Sequence, residues 1–149
     1  MLNTIEQLNI DWLKSNCARL YYFGLGFIQL KINDRYRLHF YSPELPAITE
    51  DPHDHRYNFT SYVLKGEIIN SLFEEIAGSS FVKRNESCNP NIVAPSETTT
   101  CALRKISDER ITAGGWYDMD HEAVHMVRAR DCITLLDRGD YKKQYAHVF

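Results

Sequence analysis

The spacing of hydrophobic positions changes near residue 24. Before it, Ile5, Leu8, Trp12 and Leu13 recur at helical intervals. Thr4-Ile5-Glu6-Gln7 has the form of a capping box, with Thr4 as N-cap and Gln7 reaching back. The pattern predicts a helix over about residues 4–16. Gly24 and Gly26 break it, and the period then falls to two. Ile28, Leu30 and Ile32 alternate with Gln29 and Lys31, and Tyr36, Leu38 and Phe40 alternate with Arg37 and His39. With Asn33-Asp34 as the turn, this reads as a β-hairpin that Pro43 and Pro46 end.

A second hairpin is expected from Phe59–Leu64 and Glu67–Phe73, joined at Lys65-Gly66. Residues 85–99, rich in Asn and Ser with two prolines, make the longest loop. Further strands are expected at 100–107, 111–119, 121–128 and 132–137, punctuated by Gly114-Gly115 and by Arg138-Gly139-Asp140. No repeat and no linker divides the chain, so residues 1–149 are expected to form one domain. A helix followed by many short strands predicts a mainly β, antiparallel, closed or sandwich-like architecture.

Composition adds limits. The 149 residues are 44% hydrophobic, 25% charged and 12% aromatic, as in a globular chain with enough length to bury a core. The net charge of −3 and the scattered basic residues argue against a nucleic-acid-binding face. No apolar run is long enough to cross a bilayer and no signal-peptide core is present, so a cytoplasmic protein without a membrane partner is expected. The cysteines, Cys17, Cys88, Cys101 and Cys132, form no C-x-x-C pair and are expected as free thiols.

The chemistry-bearing segment is Asp51-Pro52-His53-Asp54-His55. In extended chain, side chains two apart share a face, so the imidazoles of His53 and His55 can meet one ion. Neutral imidazole suits Fe, Zn, Ni or Cu(II) better than Ca or Mg. The same parity turns Asp54 away from that ion.

The stretch HDHRYNFTSYVLKG resembles the first motif of the cupin superfamily, in which His-x-His precedes a glutamate and then a glycine. Gly66 stands at the glycine position, and Phe59 stands where the glutamate is expected. Tyr117 to Val127 resembles the second motif of cysteine-dioxygenase-like cupins, with His125-Met126-Val127 as the match. The resemblance spans roughly residues 51–137. It implies a single cupin-type barrel (a double-stranded β-helix, or jelly roll) over about residues 26–149, preceded by the helix. It also implies one divalent metal ion on His53, His55 and His125, with Fe(II) favoured and Zn(II) or Ni(II) as alternatives.

His121 competes with His125 as third ligand and is otherwise a candidate proton-transfer group. His125 is preferred because it lies in the apolar run Ala123–Val127. Phe59 is expected to face the cavity. Arg37 is a candidate for holding a substrate carboxylate, as an early-strand arginine does in cysteine dioxygenase. The implied function is a metal-binding cupin, an Fe(II)-dependent dioxygenase acting on a small thiol or related molecule. The alternatives are a non-catalytic ligand-binding or structural cupin and a cupin-type isomerase. The partners expected are a small molecule and, through an edge strand, a second copy of the chain in a homodimer.

Overall fold

The computed structural model describes residues 10–17, 19–87, 89 and 91–149. Helix α1 (Ile10–Asn16) forms the second half of the predicted helix, and the Thr4 capping box lies outside the described residues. The strands are β1 (Arg19–Tyr22), β2 (Phe27–Lys31), β3 (Tyr36–Tyr41), β4 (Tyr57–Lys65), β5 (Glu67–Glu86), β6 (Thr98–Thr112), β7 (Trp116–Met119), β8 (Val124–Ala129), β9 (Cys132–Tyr141) and β10 (Ala146–Val148).

The first sheet has the order β1-β2-β3-β9-β4-β7. In the second, β5 pairs with β6 along one edge, and along the other with β8 and then β10. All pairs are antiparallel, giving a mainly β jelly roll of the cupin type behind a short N-terminal helix. The β2–β3 hairpin forms as expected. Its turn is closed by Asn33, whose Oδ1 accepts from the N–H groups of Arg35 and Tyr36 at 2.8 and 2.7 Å.

The core lies between the layers. Along β4, Tyr57, Phe59, Ser61 and Val63 are buried, while Asn58 and Tyr62 face out. The buried apolar members pack with Ile68, Ile111, Met119 and Leu136. Each such side chain contributes about 1.5–3 kcal/mol by leaving water.

The second hairpin is corrected. β4 and β5 are consecutive but unpaired: β4 joins β7 and β9, and β5 joins β6, β8 and β10. Gly66 (φ 74°) turns the chain from one layer to the other. A Cβ there would collide with the Asp131 carbonyl. A corner between layers and a hairpin turn leave the same alternating pattern, because in both cases Val63 and Ile68 must reach one core.

Two predicted breaks also differ. The run 111–119 is split at Gly114 (φ 89°), so that residues 111 and 112 finish β6. Arg138-Gly139-Asp140 does not end a strand, since β9 continues to Tyr141. Gly139 lies against the Asn58 carbonyl, where the β4–β9 register shifts between Tyr57 and Phe59. That glycine serves close backbone approach at an irregularity.

Candidate metal centre

Residues 51–55 form no regular strand, yet they run extended along the edge of the second sheet. His53 and His125 exchange backbone hydrogen bonds at 2.9 Å in both directions. Asp54 N–H donates to the His147 carbonyl (3.0 Å), and His55 N–H donates to that of His121 (3.2 Å). The His-x-His alternation thus survives without a full ladder. The rings of His53 and His55 turn to one side and Asp54 to the other. There Asp54 accepts from Lys143 Nζ, from His147 Nδ1 and from the His147 backbone, at 2.6, 2.6 and 2.7 Å.

His125, on β8, brings the third ring. The three ring centroids lie 4.8 to 5.0 Å apart, and the rings offer nitrogens that all fall within 4.8 Å of one another. The Nε2 atoms of His55 and His125 face each other at 2.8 Å. Asn70 of β5, fully buried, accepts the Nδ1–H of His125 at 2.8 Å. The Asp51 carbonyl accepts that of His53 at 3.0 Å. Each hydrogen bond holds the ring proton on Nδ1 and turns the Nε2 lone pair towards the other rings, as metal-ligating histidines require. Burial holds His55 and His125 well below the ordinary histidine pKa, with neighbouring His53 adding to the effect, so both are neutral at pH 7. Three ring nitrogens brought this close together, two of them on neutral rings, fit a divalent cation.

Phe59 is 5% exposed and sets its ring edge-on to His55 at 4.7 Å. The position where the sequence resemblance expects a glutamate is therefore an apolar wall of the site. A carboxylate approaches from elsewhere. Glu50 accepts from Val127 N–H at 2.8 Å through Oε2, while Oε1 stands 4.0 Å from His53 Nε2. Burial raises its pKa, and the adjacent His53 opposes that rise.

These groups open on a cavity of about 960 Å³ between the sheets. Arg37 and Phe59 both line it. Arg37 Nη1 donates to the Tyr57 hydroxyl at 2.8 Å, and its buried Nε has no partner. His39 also lines the cavity and accepts from Gln29 Nε2 at 2.8 Å. Burial, helped by Arg37, lowers its pKa to about 3.

His121 is placed apart from the ring cluster. It groups instead with exposed Asp120 and Glu122, and Asn58 Oδ1 accepts from its backbone N–H and its Nδ1. Sequence reasoning missed Asn70, Glu50 and His39. Strand parity could have placed His39 on the face of Arg37, but Asn70 and Glu50 carry no local signal. Among the described residues Cys17, Cys101 and Cys132 are free thiols, and Cys88 lies outside them. No described helix is long and apolar enough to cross a membrane.

No family model matches the sequence, and no curated protein matches it. Among solved structures, the chain is similar to Drosophila melanogaster CENP-C, crystallised bound to CAL1. The likeness covers 87% of this chain and 92% of that one, at 10% identity and a TM-score of 0.50. Identity this low shows a shared fold alone.

Proposed function

We propose that the protein is a metal-dependent cupin oxygenase that binds Fe(II) on His53, His55 and His125 and acts on a thiol-containing or related small molecule. The convergence of three imidazoles on one wall of the cavity carries this reading. An all-nitrogen donor set of neutral imidazoles would leave the full charge of the cation in place, and an iron centre held by His53, His55 and His125 would supply affinity for oxygen and for a substrate thiolate.

The chain's own residues then have separate tasks. Asn70 and the Asp51 carbonyl orient two of the rings. Phe59 and the sheet core keep water from one side of the site. Arg37, steadied by Tyr57, offers its unpartnered Nε to an acidic group of the substrate. Glu50, its Oε1 4.0 Å from His53 Nε2, adds a carboxylate at the edge of the site.

The test is metal content and oxygen consumption. Purified protein should take up one Fe(II) per chain, His53→Ala should take up none, and the loaded protein should consume oxygen with a small thiol. Iron binding without oxygen uptake for any thiol tried would remove the thiol branch.

A second reading is a non-catalytic binding module, favoured by the likeness to CENP-C, which was crystallised with a protein partner. A protein whose melting temperature ignores added Fe(II), Zn(II) and Ni(II) would support that reading over the first.

A further inference from the structure

Strand register gathers three cations that the sequence keeps apart. β1 pairs Arg19 with Lys31, and β2 pairs Lys31 with Arg37. The three side chains therefore stand abreast on adjacent strands, and all three line the cavity. Neighbouring strands lie about 4.8 Å apart, so like charges directly across from one another repel. Little in the protein offsets that repulsion. Among the described residues, only Lys31 of the three makes an ion pair, with Asp34 at 2.9 Å, and Asp34, which also acts on Arg37 from further off, is 90% exposed. Arg19 leans on the Tyr21 hydroxyl and Arg37 on the Tyr57 hydroxyl, both uncharged.

The carboxylates that line the cavity come from the opposite wall, and three of them have partners of their own. Asp51 meets Arg84, Asp54 meets Lys143 and His147, and Glu50 meets Val127 N–H. Four residues along the same face, the charge gives way to rings. Phe23, Phe27 and Tyr41 adjoin one another at 5.8 and 4.9 Å, and Tyr21 stacks on Phe23 at 5.9 Å. A cavity of about 960 Å³ is at the upper end for a small-molecule site and far exceeds what a free amino-acid thiol fills.

We propose that the cavity takes a phosphate monoester with a planar or apolar body, the phosphate lying on the Arg19–Lys31–Arg37 row and the body against the Phe23–Phe27–Tyr41 rings. Three cations exceed the charge of a single carboxylate and suit a dianion, and the forked guanidinium groups match phosphate oxygens. Tyr57 links the row to the histidines, since its hydroxyl touches Arg37 and its ring lies 5.9 Å from that of His55. The inference rests on the cavity being the substrate site of the proposed oxygenase, and it names the class of that substrate.

The experiment is calorimetric titration of the full chain, freed of metal by chelation, with phenyl phosphate and with benzoate. Phenyl phosphate should bind at least about ten-fold more tightly than benzoate, with an affinity that falls as salt is raised. Lys31→Gln and Arg19→Gln should each weaken phenyl phosphate about ten-fold, the loss of one charge-assisted contact. Lys65→Gln, a surface change beside Asp131, should leave it unaltered. Equal binding of phenyl phosphate to wild type and both row variants, or a preference for benzoate, would overturn the proposal, as would the absence of saturable binding by wild type. Metal uptake measured on the same proteins separates the two readings. Anion binding without metal uptake sinks only the oxygenase, and metal uptake without anion binding sinks only this inference.

Discussion

Among the described residues, two clusters gather three potential metal donors each: His53, His55 and His125, and Asp120, His121 and Glu122. They touch, because His55 N–H donates to the carbonyl of His121. Their environments differ in every other respect. The first draws on two segments seventy residues apart, backs onto Phe59, and has its outer ring nitrogens held by Asn70 and the Asp51 carbonyl. The second consists of consecutive turn residues, two of them exposed carboxylates. Water solvates those carboxylates as well as a cation would. Donor count alone is thus a poor guide. Neutral donors with fixed tautomers in a shielded place are what lower the cost of taking an ion out of water.

The sharpest way to break this contrast is His125→Ala. It should abolish metal uptake, read by equilibrium dialysis with Zn(II) or Fe(II), and retained uptake would mean that the ring cluster is not the site. Next in size, Asn70→Ala should keep all three rings yet lower metal affinity about 10–100-fold, by freeing the His125 tautomer. The same change should cost about 1–3 kcal/mol of folding stability, because the His125 N–H is left buried and unpaired.

A third effect is on pH. His39, His55 and His125 bind a proton less readily in the fold than in the unfolded chain, where histidine titrates near 6.5. The unfolded state therefore holds more protons between about pH 6.5 and the lowered values, and metal-free stability must fall as the solution is acidified through that window. For His39 the window reaches down to about pH 3. The decline should approach about 1 kcal/mol per pH unit for each ring, and His39→Gln should flatten the urea midpoint against pH. Smallest of all, His121→Ala should leave metal affinity unchanged and stability within about 0.5–1 kcal/mol of wild type. A large loss of uptake in that variant would merge the two clusters into one site.

How much of this could be read in the sequence depends on range. The β2–β3 hairpin was legible because its alternation and its Asx turn are local. The His53–His55 pair was legible for the same reason, since parity holds in any extended segment. Pairing across the molecule was not. The Gly66 turn looks the same whether the next strand lies beside the last or crosses to the other layer, and only the pairing of β4 with β7 and β9 and of β5 with β6, β8 and β10 shows which. Glu50 and Asn70 meet the histidines through register alone, as do Arg19, Lys31 and Arg37, which the sequence scatters over nineteen positions. Residue 139 misled because glycine at a strand irregularity and glycine at a turn are the same letter.

The bridge from His53 to Val148, like the grip of Asp54 on Lys143 and His147, ties the His-x-His segment to β10. The ion-binding end is therefore fastened by closures that span well over half of the chain. Such distant closures are entropically expensive and form late when a protein is built. A cation held there would favour the finished molecule over every partly assembled one, so it would act as a clasp on the whole barrel as well as a reactive centre.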